Sequence, residues 1–281
     1  MSCVALPTAM PAQEQAWDRL AEGLEVSVWT PGDQCGHEVP SLFLVRVDPE
    51  RYRFSTYHFS DEGLQAPIPI QDWRQRTGAS IVFNAGLFLE DYSYLGLLLK
   101  DGRSLGSRRH PQWQGLFVAE PVKPGLRKAR VLDLSVDGFA TENPVYREAA
   151  QSLMLLDRTG HTRVRHTGKR AHQMVVAEDD VGRILLIRTA DAVALWDLAD
   201  CLRTGIAALQ LAMAMDGGSS AELVIGADLA GGQAGAPGVR PWQPLVEGSG
   251  VSHSLLPAVI GVLPRAGIAG TQERRSAAGG R

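Results

Sequence analysis

An apolar run that ends in Asp216-Gly217-Gly218-Ser219-Ser220 carries the strongest chemical signal in the sequence. Two consecutive glycines let the backbone come close to a ligand and point successive N–H groups in one direction, which favours an anion. The two serine hydroxyls can cap a helical turn. Asp216 is therefore a candidate general acid or base, nucleophile or clamp for a substrate hydroxyl. A simple strand-to-turn junction that begins with aspartate explains the same segment without a ligand.

A second apolar run, residues 81–83, ends in Asn84-Ala85-Gly86. The Asn84 side chain offers both a hydrogen-bond donor and an acceptor, which suits sugar hydroxyls or a phosphate oxygen. An Asx turn at a strand end explains this asparagine equally well. Two apolar strands that each end in small residues and one polar side chain, Asn84 and Asp216, nevertheless indicate a ligand site at these strand ends.

A basic stretch precedes a predicted strand and holds Arg158, His161, Arg163, Arg165, His166, Lys169 and Arg170. In a chain of formal net charge −3, this local excess of positive charge can focus an anionic substrate. A solvated hairpin with outward charges explains most of these residues, and we favour that interpretation for most of them. Arg170, His172 and Gln173 lie nearest to the following strand and are the better site candidates.

Several classes of protein are excluded by charge and by motifs that the sequence lacks. The sequence has no HExxH or CxxC motif, Walker loop or dinucleotide fingerprint, so we expect no bound metal and no cofactor. The balance of 28 basic against 31 acidic residues argues against a nucleic-acid partner. No apolar run approaches the roughly 20 residues of a membrane-spanning helix, so we expect no membrane span.

The apolar pattern predicts the elements that must position these side chains. A helix is predicted where five apolar residues recur at helical spacing, namely Leu195, Leu198, Leu202, Ile206 and Leu209. Residues 16–25 predict a short helix that ends at Gly23. Residues 42–47 and 52–57 flank a turn and predict a β-hairpin. Many further short strands indicate an α+β fold, a single domain of mixed β-sheet with a few packed helices over residues 16–264.

Both ends of the chain lie outside this predicted domain. Residues 1–15 resemble the rear half of a secretory leader or form a floppy tail. Residues 265–281 predict a disordered tail, because they consist largely of small and polar residues.

The three cysteines, Cys3, Cys35 and Cys201, show no paired spacing. Cys35 and Cys201 could form a disulfide if the chain is exported. Alternatively, Cys201 is a helix residue near a packing face. The cysteines alone therefore leave the compartment open.

Five motifs follow one another along the chain, namely Asn84-Ala-Gly-Leu-Phe88, Lys100-Asp-Gly-Arg103, Ala150-Gln-Ser152, the segment 169–177 and Met215-Asp-Gly-Gly-Ser-Ser220. This ordered set resembles the phosphodiester glycosidase family. The resemblance implies a hydrolase that cleaves a sugar 1-phosphodiester or a related cell-surface glycan linkage, releasing the sugar and leaving a phosphomonoester. It also implies a small-molecule or polysaccharide substrate that carries a sugar phosphate, and a periplasmic or secreted location.

The resemblance also implies roles for individual residues. Asp216 would supply a carboxylate near the anomeric carbon, with Asn84 and His172 completing the catalytic set. Because phosphate is a good leaving group, such a site chiefly needs this carboxylate, an anion cradle and positioned hydroxyl contacts. The implied substrate-binding residues are Gly86, Gln151, Ser152, Arg170, Gln173, Gly217, Gly218, Ser219 and Ser220.

Two positions depart from the family pattern. Ala85 stands where the family usually has glycine, a change that adds one methyl group. Gln173 stands where the family typically has the arginine that would hold phosphate, and such a cation contributes strongly to a phosphate site. His172 or Arg170 could substitute for it. The alternative function is therefore a carbohydrate- or phosphate-binding domain of the same fold with weakened catalysis.

Overall fold

The computed structural model describes residues 16–36, 38–231, 240–249 and 254–266. The predicted leader or tail at the N-terminus lies outside the described residues, as does the predicted C-terminal tail beyond Ala266. All structural statements below concern the described residues.

Seventeen strands and three α-helices make up this part of the chain. The strands are β1 (Asp18–Ala21), β2 (Leu24–Trp29), β3 (Leu42–Val47), β4 (Tyr52–His58), β5 (Ile81–Asn84), β6 (Leu98–Lys100), β7 (Arg103–Ser104), β8 (Gly115–Pro121), β9 (Ala129–Asp133), β10 (Tyr146–Leu156), β11 (Arg170–Ala171), β12 (Met174–Asp179), β13 (Ile184–Thr189), β14 (Val193–Ala194), β15 (Leu209–Ala214), β16 (Leu223–Ile225) and β17 (Ala258–Pro264). The helices are α1 (Ile70–Thr77), α2 (Leu195–Gly205) and α3 (Ala227–Gly231). None of these helices has the length and apolar character needed to span a membrane.

The strands form two sheets and a two-stranded ribbon. The large sheet has the order β1-β2-β3-β13-β12-β15-β10-β6-β7, and β8 joins β10 to β9 as a branch. The small sheet has the order β16-β5-β17-β4, and β11 pairs with β14 in the ribbon. Each pair of these strands is antiparallel. The predicted α+β fold with a mixed sheet is therefore wrong, because the protein is mainly β and its sheets are antiparallel.

Part of this error arose at residues 16–25, which form the β1–β2 hairpin rather than a helix. Leu24 and Val26 are buried in the core. Between them, Glu25 accepts a hydrogen bond from Arg46 Nε at 2.7 Å. This alternation of buried and paired residues has the two-residue period of a strand, and Gly23 lies in the turn before it.

The predicted hairpin of β3 and β4 is also wrong, because the two strands belong to different sheets. β3 pairs with β2 and β13, whereas β4 pairs with β17. The turn between them carries the chain from the large sheet to the small one, and the Asp48 N–H donates to the Gly23 carbonyl at 2.8 Å. The helix predicted from Leu195 is present, but it ends at Gly205, and Leu209 begins β15.

The large sheet is buried on both faces, which explains its continuous apolar runs. In β3, Phe43 and Val45 pack in the core shared with the small sheet, while Leu42 and Leu44 pack in the core that contains α2. On the far side of the small sheet, Trp73 of α1 packs against the outer face. The order of layers is therefore α1, small sheet, large sheet and α2, and alternate side chains of one strand serve two cores.

A disulfide joins Cys35 to Cys201 across 166 positions in the sequence. Cys201 is also a buried residue of α2, so both interpretations of this cysteine hold. Cys35 ends a short 3-10 turn, Gly32–Cys35. The bond thus attaches the segment before β3 to the helix that covers the outer core of the large sheet.

Loss of this disulfide should destabilise the protein substantially, because it closes a long loop. The double variant Cys35→Ser/Cys201→Ser should lose about 2–5 kcal/mol of unfolding free energy, measured by urea denaturation. Dithiothreitol should lower the midpoint of the wild type to that of the variant and leave the variant unchanged. A variant as stable as the oxidised wild type would contradict this expectation.

Candidate active site

The predicted ends of two buried strands meet at one place between the sheets. β15 of the large sheet leads into Asp216 and then into a 3-10 turn, Gly218–Ser220. β5 of the small sheet ends at Asn84. The Asp216 N–H donates to the Ala85 carbonyl at 3.2 Å, which joins the two strand ends directly. We refer to residues 216–220 as the Asp216 turn.

The Asn84 side chain holds the Asp216 turn in place. Its Nδ2 donates to the Asp216 carbonyl at 2.9 Å and to the Ala85 carbonyl at 3.0 Å. Its Oδ1 accepts the Glu222 N–H at 3.1 Å. Asn84 is only 1% exposed, and both the donor and the acceptor of its side-chain amide bind backbone groups. It therefore acts here as a clamp.

His172 and Gln173 border the turn on its other side. The His172 carbonyl accepts the Gly218 N–H at 2.9 Å. A Cβ at Gly217 would lie 3.0 Å from Gln173 Oε1 and 3.1 Å from the His172 carbonyl oxygen, so these two segments of the chain approach each other closely. Gln173 is buried, and its Nε2 donates to the Val193 carbonyl at 3.1 Å. Asn84, His172 and Asp216 therefore all belong to one cluster, although His172 joins it through its backbone.

Asp216 is a half-buried carboxyl that makes no ion pair with any residue in the described ranges. Its Oδ1 accepts the Gly217 N–H at 3.0 Å. Burial raises the pKa of the Asp216 carboxyl, and hydrogen bonds from Ser220 and the Gly217 N–H lower it in part. Such a carboxyl exchanges protons closer to neutral pH than an exposed aspartate does.

The N–H groups of Gly217 and Gly218 in the Asp216 turn are already hydrogen-bonded within the protein. The Gly217 N–H serves Asp216, and the Gly218 N–H serves the His172 carbonyl. Ser220 is buried and bonds to Asp216, whereas Ser219 is exposed. The Gly217 and Gly218 amides are therefore not free to bind an anion, and the turn contains no cationic side chain.

A buried tyrosine that the sequence analysis did not single out lies beside the Asp216 turn. The Tyr94 hydroxyl donates to the Gln151 carbonyl at 2.8 Å and accepts the Gly86 N–H at 3.0 Å. Burial raises the pKa of Tyr94, and the nearby charge of Asp216 adds to the rise. The hydroxyl therefore stays protonated and fixes the position of Gly86 next to the carboxylate.

Two predicted binding residues of β10 are fully buried. Gln151 Oε1 accepts the N–H groups of Leu97 and His110, and its Nε2 donates to the carbonyls of His110 and Trp113. These bonds fix the segment around Trp113. The Ser152 hydroxyl, in contrast, has no hydrogen-bond partner among the described residues, and neither does His172 Nδ1.

A cavity of about 790 Å³ begins beside Gln173. Its lining residues are Gln112, Trp113, Gln114, Leu153, Met154, Arg163, Val164, Arg165, Thr167, Lys169, Ala171, Gln173 and Leu195. We call this the basic cavity, since it carries three cations and no acidic residue of the described ranges lines it. Gln173 connects it with the Asp216 turn, because its Oε1 lies against Gly217. The basic stretch, interpreted mostly as a solvated hairpin, thus contributes to a cavity.

Arg170 does not join this cluster. Its guanidinium pairs with the Glu38 carboxylate at 2.5 Å and donates to the Glu38 and Ala192 carbonyls at 3.1 Å. Another arginine, Arg188, was missed because it sits in an apolar strand. It lies opposite Met174 in the sheet and donates from Nε to the Ala221 carbonyl at 2.9 Å, just after the Asp216 turn. Burial lowers the pKa of Arg188, and the charge of Glu222 opposes this effect.

No group of three or more potential ligands among His, Cys, Asp and Glu in the described ranges is arranged to hold a metal ion.

Gly86 should be essential for the packing of this cluster. A Cβ there would collide with the Tyr94 hydroxyl and lie 2.7 Å from the Gln151 carbonyl oxygen, so we expect Gly86→Ala to cost about 1–3 kcal/mol. Gly138→Ala is the matched control, because a Cβ there has no neighbour within 4 Å. Urea denaturation of both variants tests this, and equal stability of the two would refute the packing argument.

Comparison with known proteins supports the fold. No protein-family model matches the chain, and no curated protein matches its sequence. A hypothetical protein from Synechocystis is 14% identical with a TM-score of 0.61 over 90% of this chain, which spans only 64% of that protein. The catalytic domain of zebrafish N-acetylglucosamine-1-phosphodiester α-N-acetylglucosaminidase is 16% identical with a TM-score of 0.55, over 92% of this chain and 86% of that domain. Because these identities are low, the comparisons show only that the chain shares the fold of these two proteins.

Proposed function

We propose that this protein is a hydrolase that cleaves a sugar 1-phosphodiester or a related cell-surface glycan linkage. The observation that carries the proposal is the Asp216 carboxyl, which is half-buried, held by Asn84 through the adjoining backbone and without an ion-pair partner among the described residues. Similarity to the fold of the zebrafish phosphodiester glycosidase domain supports the same reaction class.

In the proposed reaction, water attacks the anomeric carbon and the bond between that carbon and the bridging oxygen breaks. The bridging oxygen leaves with the phosphate, so the products are a free sugar and a phosphomonoester. Asp216, in its ionised form, takes the proton of the attacking water. Because the leaving phosphomonoester is a weak base, the reaction does not need a second carboxyl to protonate it.

The proposed substrate lies between the Asp216 turn and the basic cavity. Gln173 borders both, so a sugar at Asp216 can direct its phosphate towards the cavity. Arg165 and Lys169 line that cavity, and neither side chain makes an ion pair with a described residue. In this proposal they take the role of the arginine that Gln173 replaces, while the exposed Ser219 lies beside the sugar.

The proposed location is the periplasm or the outside of the cell. The Cys35–Cys201 disulfide supports it, because such bonds form and persist in oxidising compartments.

One observation favours the alternative of a binding domain with weakened catalysis. The Gln173 side chain places its acceptor oxygen, Oε1, against Gly217, and its Nε2 donates to the Val193 carbonyl. An acceptor at this position repels a phosphate oxygen instead of binding it. Turnover by the wild-type protein decides between the two functions, since a binding domain releases no sugar.

Asp216→Asn should abolish turnover, because the amide cannot accept the proton of water. We expect a loss of about 10²–10⁴-fold in kcat, measured as reducing sugar released from the methyl phosphodiesters of glucose and N-acetylglucosamine 1-phosphate. Asp180→Asn, at an exposed aspartate outside the site, is the control. Full activity of Asp216→Asn would disprove the assignment.

The pH profile should report the environment of Asp216. As a base it must be ionised, so kcat/KM should fall as the pH drops through its pKa, which burial raises above the usual aspartate value. Ser220→Ala removes a hydrogen bond that lowers this pKa and should move the acid limb to higher pH. Ser249→Ala, at an exposed serine, should leave the limb in place. An acid limb that does not respond to Ser220→Ala would exclude Asp216 as the titrating base.

A further inference from the structure

The basic cavity has two walls of different chemistry. One wall carries the cations of the former basic stretch, Arg163, Arg165 and Lys169. The other is the segment 112–114, which contributes an indole and two amides. An apolar base between the walls comes from β10 and the start of α2. The volume of the basic cavity, about 790 Å³, lies within the range of roughly 300–1,000 Å³ that small-molecule sites occupy.

The charge of the cavity is not neutralised by the described residues. Arg163 is paired with Asp133 at 2.9 Å and with Asp157 at 3.4 Å, so its charge is largely balanced. Arg165 and Lys169 have no such partner among the residues that the structure describes. In a chain with a net charge of −3, two unbalanced cations in a cavity without an acidic wall residue favour an anionic occupant.

The wall formed by segment 112–114 suits a sugar ring. The Trp113 indole is stacked on His110, with ring centroids 4.1 Å apart and an interplanar angle of 26°. The bonds of Gln151 to both residues hold this pair in position. A fixed indole offers an apolar face to the C–H groups of a sugar, and the amides of Gln112 and Gln114 offer donors and acceptors for its hydroxyls.

We infer that the basic cavity binds an anionic oligosaccharide, with sugar rings against Trp113 and negative groups at Arg165 and Lys169. A simple anion site needs only the unbalanced cations, and a neutral sugar site needs only the fixed aromatic ring, whereas this cavity has both. In the reaction proposed above, this glycan is the part of the substrate that leaves with the phosphate, and only this placement rests on the proposed function. The preferred substrate is then an acidic polysaccharide rather than a neutral one.

The test measures binding by isothermal titration calorimetry to the Asp216→Asn protein, so that turnover does not interfere. The probes are trigalacturonate and the neutral trisaccharide maltotriose. Trigalacturonate should bind about tenfold or more tightly than maltotriose, and added NaCl should weaken only the charged probe.

Variants then assign the binding to this cavity. Arg165→Ala/Lys169→Ala should weaken trigalacturonate about tenfold and leave maltotriose unchanged. The matched control is Arg53→Ala/Lys123→Ala, which removes two exposed cations elsewhere. Trp113→Ala should weaken both probes, and Trp113→Phe should restore part of the affinity. Circular dichroism verifies that each variant is folded.

The inference is overturned if trigalacturonate does not bind, if the two trisaccharides bind equally, or if the control pair matters as much as the cavity pair. Inorganic phosphate that binds as tightly as trigalacturonate would indicate a simple anion site and would also overturn it. Binding as expected, together with a wild type that releases no sugar, would uphold the cavity assignment and refute the proposed hydrolysis.

Discussion

The side-chain amide of Asn84 connects backbone from both sheets, and the geometry of the site depends on it. It comes from the small sheet, donates to the carbonyl of Asp216 at the end of the large sheet and accepts the N–H of Glu222 just before β16. Among side chains of this size, only asparagine has a donor and an acceptor so arranged. An aspartate would set carboxylate oxygens against carbonyl oxygens, and a leucine would leave buried polar groups unpaired. The clamp therefore fixes the carboxylate of Asp216 without contacting it.

The two parts of the candidate site, the Asp216 turn and the basic cavity, differ in charge. In the Asp216 turn the Gly217 and Gly218 N–H groups are bound within the protein and Asp216 supplies one carboxyl, whereas the basic cavity holds cations and no acidic wall residue of the described ranges. A cation beside Asp216 would lower its pKa and weaken it as a base. The separation thus keeps the carboxyl basic while positive charge remains available nearby for an anion.

The sequence predicted which strands end in a polar side chain that could bind a ligand, but it did not predict how the strands pair. The approach of Asn84 and Asp216 was predictable, because each follows a buried apolar strand. The assignment of β3 and β4 to different sheets was not, because β13, which pairs with β3, and β17, which pairs with β4, are distant in the sequence. The helix predicted at residues 16–25 was wrong because it rested on Gly23 as a helix end, whereas Gly23 lies in the turn between β1 and β2.

The candidate site was predictable only in part. Gln151 was singled out, but its bonds to the segment around Trp113 depend on a contact across about forty residues. Trp113 itself carries no local signal, and neither does Arg188 within its apolar strand. The basic stretch looked like a solvated hairpin because the other residues that line the cavity come from separate parts of the chain.

The order of the small sheet has a consequence for biosynthesis. β17, the last described strand, lies between β4 and β5, which do not pair with each other directly. On the ribosome, β5 and its Asn84 emerge long before the strand that must sit beside them. The small sheet closes only when nearly all the described chain has been synthesised, and such non-local pairing is slow to form. A chain translated only as far as β16 therefore carries every residue of the Asp216 turn, but the small sheet that positions this turn is not yet complete.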